Sequence, residues 1–370
     1  MDKKMYWQQF FPKYVQRFIV YLCVIAFIQI FSGHPKWVET YYSTLIYPYI
    51  SLVLRFSTSW LSISIGDLLY VFCILSFVYY LYKRIKRFRK QQLNWQICRQ
   101  AVFSFLNFLC IVYIVFNFLW GLNYRREGIA TQLNIQSNET YTTSDLQNLT
   151  CDLLEAINST RLALGDSLIS YPTHEQSFSM CVDAYQTIST KIPFFSYKIS
   201  SVKSSLLTKV VSNAGYAGYF NPFTGEAQIN TDLPEFVIPF VAAHEMAHQL
   251  GYASESEANF VSYLVCSQSS NKWLRYSALF ELFSIANNEL LETDFWAAVL
   301  NLKALHPLVK RDKRIYRNYL LGKQSYIEPV MKNMYHQYLK ANAQQSGIDS
   351  YNEVTAWVIA YTKKYGKHSL

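Results

Sequence analysis

Charged residues are scarce in this chain, and the scarcity is uneven. Asp, Glu, Lys and Arg make up 16% of the 370 residues, whereas hydrophobic residues make up 51%. Most of the imbalance lies before residue 123, after which the sequence becomes polar and mixed in charge. A single soluble domain does not have this asymmetry. We therefore predict a membrane anchor at residues 1–122 and a soluble domain at residues 123–370.

Cysteine and glycine are also few, which argues against several kinds of site. The 7 cysteines are odd in number and include no Cys-x-x-Cys pair, so neither a disulfide framework nor a cysteine metal site is indicated. The 12 glycines form no glycine-rich phosphate loop. The sequence also contains no internal repeat and no low-complexity tract, so a repeat architecture is not indicated.

Three long hydrophobic runs are present instead. They cover Tyr14–Phe31, Leu61–Tyr82 and Ala101–Leu122, and the last contains no charged residue. Each approaches the length that crosses a bilayer as a helix. Between the first two runs, Tyr41–Leu54 is apolar and aromatic but contains Pro48. This shorter segment is expected to be an interfacial helix, a fourth short membrane element or a helix packed on the others.

Basic residues predict how the chain crosses the membrane. Lys83–Lys90, with the sequence KRIKRFRK, lies between the second and third runs, and Lys3, Lys4 and Lys13 precede the first. Because cytoplasmic loops are rich in Lys and Arg, we place the N-terminus and this linker in the cytoplasm and residues 123–370 outside it. The position of the linker between two spans explains its many basic residues better than nucleic-acid binding does. The expected partner is therefore the lipid bilayer, not nucleic acid, and the net charge of +9 says little about other partners.

The soluble half is expected to be mainly helical, with a small β-sheet or hairpin. Thr142–Gly165 has apolar residues at helical spacing. Ser212–Asn230 has short aromatic and alternating runs separated by turn residues, which is typical of a hairpin or a small sheet. Pro239 suits the first turn of a helix that ends at Gly251, and Ser254 begins another helix. The fold class is therefore mainly α, with three N-terminal transmembrane helices followed by an α+β domain that has a small β-sheet or hairpin before the helix of His244.

The sequence HEMAHQLG, which begins at His244, carries the chemistry. On a helix, His244 and His248 lie one turn apart on the same face, so both imidazoles can bind one metal ion. Glu245 lies at the neighbouring edge, where it can hold a metal-bound water without being a ligand. A catalytic zinc site needs three protein ligands and an open position, so a third ligand is expected nearby.

Two glutamates compete to be this third ligand. Glu255 begins the pattern Glu-x-x-Ala-Asn, in which Asn259 follows one turn later and can hydrogen-bond to a metal ligand. Glu257 lies three residues after Ser254, the spacing of a capping box, which would occupy its carboxylate at the helix terminus. The pattern favours Glu255 and leaves Glu257 as the competing ligand.

Together these residues resemble the gluzincin class of zinc metallopeptidases, in which a glutamate on the helix after His-Glu-x-x-His supplies the third ligand. The chain is also similar to a bacterial membrane-protein family catalogued only as a domain of unknown function. The shared features are three N-terminal spans and the motifs GLNYRREG, PFVAAHEMAHQLG and ESEANF.

The resemblance implies a zincin-like domain that holds one Zn²⁺ through His244, His248 and Glu255, with Glu245 as general base in peptide-bond hydrolysis. It also implies a bacterial inner membrane, with a peptide or protein as substrate. The link from His248 to Glu255 is shorter than gluzincins usually have. The choice between Glu255 and Glu257 therefore stays open.

Two further parts of a peptidase site are expected from the sequence. The segment before the metal-binding helix is predicted as an edge strand on which an extended peptide pairs by its backbone, and it consists of Gly225, Glu226, Ala227, Gln228, Ile229 and Asn230. The candidates for stabilising the anionic intermediate, which the sequence does not rank, are Tyr216, Tyr219 and His306.

Two other functions compete with hydrolysis. A non-catalytic membrane sensor or envelope assembly factor would need the zinc but not the catalysis, and the presence of Glu245, which has no structural duty as a non-ligand, argues against it. A transporter is disfavoured because the predicted spans contain no paired charges, only Asp67 near one edge.

Overall fold

A computed structural model of the chain describes residues 12–90, 95–135, 141–165, 171–342 and 351–366. Lys3 and Lys4, which contribute to the predicted orientation, lie outside these residues. The fold is mainly helical with one three-stranded sheet, which confirms the predicted fold class.

Four helices form the N-terminal part: α1 (Lys13–Ser32), α2 (Tyr47–Ser59), α3 (Ile65–Lys90) and α4 (Trp95–Leu119). Three of them contain segments long and apolar enough to cross a membrane, and these are Lys13–Ser32, Ile65–Lys86 and Cys98–Leu119. The prediction of three helices able to cross a membrane is confirmed, although the ends of all three differ, those of the first by one residue.

The second and third predicted spans extended too far on the side of the soluble half. The second span begins at Ile65 rather than Leu61, because the amides of Ile65 and Gly66 donate to the Glu226 carboxylate instead of continuing a helix towards Leu61. The third span ends at Leu119, and Gly121–Arg125 forms a 3₁₀ turn. Both ends lie where the chain contacts the soluble half. A hydropathy pattern cannot predict such contacts.

The segment between the first two spans is helical and lies against the soluble half. A short helix, Pro35–Trp37, leads into a π-helix, Val38–Ile46, which continues as α2 with Pro48 in its first turn. The buried side chains of α2 are Tyr47, Ser51, Arg55 and Thr58, and they pack against the soluble half. This segment is not among the helices long and apolar enough to cross a membrane, so the residues that the structure describes include no fourth span.

Nine longer helices build the soluble half: α5 (Thr143–Ala163), α6 (His174–Ser189), α7 (Ile238–Gln249), α8 (Glu255–Ser267), α9 (Lys272–Thr293), α10 (Phe295–Ala304), α11 (Pro307–Lys323), α12 (Glu328–Ala341) and α13 (Tyr351–Tyr365). Shorter helices form at Ile129–Gln132, Pro193–Phe195 and Thr208–Asn213. The predicted starts are set by recognisable residues, since Thr142 and Asp145 form a capping box at α5 and Pro239 lies in the first turn of α7. Helix α8 is the centre of the core, and α7, α9 and α13 pack around it.

The sheet consists of β1 (Val202–Ser204), β2 (Gly218–Asn221) and β3 (Glu226–Ile229), in the order β1-β3-β2. β2 and β3 form the predicted antiparallel hairpin, and β1 adds to the other side of β3 in parallel. The prediction that Gly225–Asn230 is an edge strand is therefore wrong. The backbone of β3 is hydrogen-bonded on both sides, so it has no free edge to offer a peptide. The open edge beside the metal-binding helix belongs to β2.

The packing crosses the predicted boundary at residue 122. The Lys203 ammonium donates to the carbonyls of Thr58 and Ile63 and forms a buried ion pair with Glu226 (2.6 Å). The Asp67 carboxylate, one turn into α3, accepts from the amide of Leu206 (2.7 Å). The segment from the π-helix to the start of α3 is therefore part of the same packed unit as the soluble half.

Candidate functional site

Helices α7 and α8 bring the predicted metal ligands together. They are joined by a tight turn at Gly251, whose φ of +89° is easily adopted by glycine. A Cβ at this position would lie 2.8 Å from the ring of Tyr47, so the turn also needs the absence of a side chain. The turn directs the start of α8 back towards the face of α7 that carries the two histidines.

The two histidines and Glu255 converge on one point. Nε2 of His244 lies 3.2 Å from Glu255 Oε2, and Nε2 of His248 lies 3.6 Å from Glu255 Oε1. One ligand atom from each of the three residues lies within 4.8 Å of the others. On the far side of the rings, His244 Nδ1 donates to Asn259 Oδ1 (2.8 Å) and His248 Nδ1 donates to the Tyr252 carbonyl (2.7 Å). These bonds fix the tautomers that leave both Nε2 lone pairs directed at Glu255.

The electrostatics of the triad suit a divalent cation. Burial lowers the pKa of His248 to about 4, so this imidazole is neutral at pH 7. Burial alone would raise the pKa of Glu255, but its bonds to the histidines outweigh burial and lower that pKa to about 2. Burial likewise lowers the pKa of His244, but the Glu255 carboxylate outweighs it and leaves this pKa raised, so a metal would compete with a proton here. Two imidazole nitrogens and a carboxylate form a donor set that fits zinc.

Glu245 is positioned beside the triad without joining it. Its side chain is buried, and Oε2 has no hydrogen-bond partner among the residues that the structure describes. Burial raises the pKa of the Glu245 carboxyl to about 8. In the metal-free site this pKa keeps the Glu245 carboxyl protonated at pH 7, and the charge of a bound divalent cation would favour the carboxylate form that accepts a proton from a neighbouring group.

Glu257 does not face the histidines. Its Oε1 accepts a hydrogen bond from the amide of Ile129 (2.6 Å), at the start of a short helix. Ser254 precedes α8 but makes no side-chain capping bond, so the predicted capping box of Ser254 and Glu257 is wrong. Glu257 is therefore held by a segment far away in the sequence, and the geometry groups Glu255 with the two histidines.

The GLNYRREG motif supports the turn between α7 and α8. Arg126 donates to the Gly251 carbonyl (3.1 Å) and forms an ion pair with Glu39 (2.8 Å). Gly128, with φ +86°, leaves room for the Glu257 carboxylate, which a Cβ would displace. Just before the motif, the Trp120 indole donates to the His248 carbonyl (3.1 Å). The motif is therefore explained by its contacts with the backbone that carries the metal ligands.

The triad opens into a cavity of about 750 Å³. Its walls come from α7, from β2, from α12 and from the aromatic residues at the outer ends of α3 and α4. The hydroxyl of Tyr335, on α12, donates to Glu255 Oε1. Sequence reasoning missed Tyr335, because it lies far along the chain from Glu255 among 30 tyrosines and belongs to no recognisable motif.

The three predicted oxyanion candidates are placed differently. Tyr216 lines the cavity, with its ring 5.6 Å from that of Tyr335. Tyr219 also lines the cavity, but its hydroxyl is bonded to Asp67 and Ser205. His306 caps the start of α11 and is not among the residues that line the cavity. Of the three, Tyr216 and Tyr219 therefore lie where a bound substrate would be, and His306 does not.

The chain matches no curated protein and no solved structure at a significant level. Residues 42–359 match the family described as "Protein of unknown function (DUF3810)", which confirms the expected similarity to a family of unknown function. The match begins inside the π-helix and includes two of the three spans, so it covers both predicted parts of the chain. Because it covers most of the 370 residues, the chain belongs to this family.

Proposed function

We propose that the protein is a zinc-dependent peptidase anchored in the membrane. The observation that carries this proposal is the convergence of His244, His248 and Glu255 beside the buried, unpaired carboxylate of Glu245, at the wall of a large cavity. A structural zinc site has four protein ligands and needs no such carboxylate. A donor set of three with a proton acceptor next to it suits hydrolysis.

The roles of the residues follow from their positions. A zinc ion held by the triad would supply a bound water of lowered pKa and would polarise the scissile carbonyl. Glu245 would accept the proton of this water on Oε2 and transfer it to the leaving amine. Tyr335 would hold the Glu255 carboxylate in place through its hydroxyl. Tyr335 contacts Glu255 directly, and Tyr216 lines the same cavity with its hydroxyl on the Met331 carbonyl, so these two are the candidates to stabilise an anionic intermediate.

The open edge of β2 is the candidate strand for binding the substrate backbone. In the β2–β3 ladder the Asn230 amide donates to the Ala217 carbonyl, so the backbone groups of Gly218 and Phe220 point away from β3. Both residues line the cavity. An extended peptide could therefore pair with β2 and pass over the metal ligands.

The location follows from the spans and the charges. Three helices are able to cross a membrane, and basic residues follow the second span on the side away from the site. The positive-inside rule then places the cavity outside the cytoplasm, at the outer face of a bacterial plasma membrane.

Zinc content tests the site. The full chain is purified in detergent, and its zinc is measured by elemental mass spectrometry beside the variants His248→Ala, Glu255→Gln and Glu257→Gln. We expect about one zinc per chain, lost in the first two variants and retained in the third. A folded wild-type chain without zinc would contradict the proposal.

The Glu245→Gln variant tests catalysis separately from binding. This change removes the proton acceptor but no ligand, so we expect zinc to be retained and the hydrolysis of an internally quenched peptide library to be lost. A zinc-loaded wild type that cleaves no peptide would favour a non-catalytic zinc-binding sensor or assembly factor instead.

A further inference from the structure

Two walls of the active-site cavity come from membrane-spanning helices. Tyr70 lies in the segment Ile65–Lys86 of α3, and Phe116 lies in Cys98–Leu119 of α4. Both line the same cavity as His244 and Glu245. The cavity therefore extends down between the outer ends of two spans, to the level of the bilayer.

Below the cavity, α3 stands apart from the other two spans. Helices α1 and α4 pack along each other, with the Phe103 ring 5.5 Å from Tyr14 and 5.6 Å from Phe18. In α3, by contrast, every residue from Val71 to Lys83 is exposed, on all sides of the helix. A gap between α3 and α4 is therefore open to the lipid directly beneath the cavity.

Helix α2 indicates how close the metal site is to the lipid. Its buried face is polar, whereas its exposed face is apolar and aromatic, and these exposed residues are Tyr49 (69%), Val53 (64%), Phe56 (68%) and Trp60 (75%). Such a helix is stable when its outer face lies in a membrane interface. On the inner face, the hydroxyls of Tyr47 and Ser51 donate to the carbonyl of Gln249 at the end of α7. The metal-binding helix therefore lies one helix layer, roughly 10 Å, above this interface.

We propose that the substrate is a polypeptide held in the bilayer, which enters the cavity sideways through the gap between α3 and α4. This inference rests on the proposed peptidase function and specifies its substrate class. An apolar membrane segment can occupy the gap, because α3 offers apolar side chains there and no competing charge between Tyr70 and Tyr82. The adjoining extended segment would then reach β2 and the metal ligands.

The test uses the full chain in liposomes of phosphatidylethanolamine and phosphatidylglycerol. Internally quenched peptides of mixed sequence are supplied in two forms, free and fused to a transmembrane Leu-Ala helix of about 20 residues. Tethering alone raises cleavage by concentrating the substrate at the membrane, so a second comparison is needed. Ile74→Trp fills the face of α3 one turn below Tyr70, whereas Phe72→Trp, the matched control, adds bulk on the opposite face.

We expect wild type to prefer the fused peptides. Ile74→Trp should lower the ratio of fused to free cleavage about tenfold, which corresponds to about 1.4 kcal/mol, and Phe72→Trp should leave the ratio unchanged. Equal cleavage of both forms by wild type, or equal ratios in the two variants, would overturn sideways entry while leaving the peptidase function intact. Cleavage of neither form by a zinc-loaded chain would instead overturn the peptidase function, and the substrate class with it.

Discussion

Gly218 gives Glu245 the space that a general base needs. A Cβ at residue 218 would lie 2.8 Å from Glu245 Oε1, so Gly218→Ala must push the carboxylate away from the metal ligands. We expect zinc to be retained and peptide hydrolysis to fall about 100-fold, the effect of a displacement of about 1 Å at a reacting group. The matched control is Gly322→Ala, because a Cβ there meets no atom within 4 Å. Wild-type hydrolysis by Gly218→Ala would mean that Glu245 is not the base.

The contact of Tyr335 with Glu255 can be tested by metal binding alone, without an assay of hydrolysis. Its hydroxyl donates to Glu255, and removing such a partner of a metal ligand typically weakens metal affinity by about 10–100-fold. We therefore expect Tyr335→Phe to bind zinc more weakly in a competition titration against a fluorescent chelator. Tyr326→Phe is the control, since Tyr326 is fully exposed. Equal zinc affinity in both variants would show that the hydroxyl does not orient Glu255.

At the scale of elements, the end of α7 depends on residues from the membrane half. The Gln249 carbonyl accepts from Tyr47 Oη (3.0 Å) and Ser51 Oγ (2.6 Å), so two donors share one acceptor at the helix terminus. We expect Tyr47→Phe and Ser51→Ala each to cost about 1 kcal/mol of stability. The double variant should cost more than their sum, because only then does the carbonyl lose both hydroxyl donors.

Thermal unfolding of the full chain in detergent measures this coupling. Ser57→Ala is the control, because the exposed Ser57 hydroxyl bonds only within its own helix, to Leu54. Additive losses in the double variant would show that the two hydroxyls stabilise α7 independently.

Local patterns predicted the elements well and the contacts between them poorly. Helix α7 and the β2–β3 hairpin were predictable, because Pro239, Gly251 and the turn residues act within a few positions. β1 was not predictable, because a strand of three residues is too short to show alternating apolar and polar residues. It forms by pairing with β3. The same limit applies to the site. The four-residue spacing of His244 and His248 predicts that both can bind one metal ion, whereas Tyr335 reaches Glu255 only because α12 lies close to the start of α8.

At the scale of the molecule, one buried ion pair joins the two predicted parts. Lys203 and Glu226 belong to the sheet, but apart from the Thr224 hydroxyl their remaining hydrogen-bond partners are backbone groups of Thr58, Ile63, Ile65 and Gly66. Sequence composition predicted the three N-terminal helices that are long and apolar enough to cross a membrane. It could not show that the soluble half takes part of its hydrogen bonding from the segment that precedes α3, because such contacts leave no periodic pattern.

This dependence predicts the behaviour of the soluble half on its own. In a chain of residues 123–370, Lys203 and Glu226 keep each other but lose the backbone groups of the preceding segment, and Gln249 loses Tyr47 and Ser51. Hydrogen bonds of this kind contribute about 1 kcal/mol each, so their joint loss removes a large part of the stability of a typical domain. We expect this fragment to bind no zinc and to lack a cooperative thermal transition.

The control separates the loss of contacts from the loss of chain continuity. Two pieces divided between α3 and α4, residues 1–92 and 93–370, are co-expressed and purified together in detergent. They retain every contact of the buried ion pair and of the end of α7, so we expect about one zinc per complex. If a soluble 123–370 fragment binds zinc as tightly as the full chain, α2 and the start of α3 contact the site but are not needed for zinc binding. Zinc bound by the divided chain but not by the fragment would show that the membrane half completes the metal centre, which ties its formation to insertion in the bilayer.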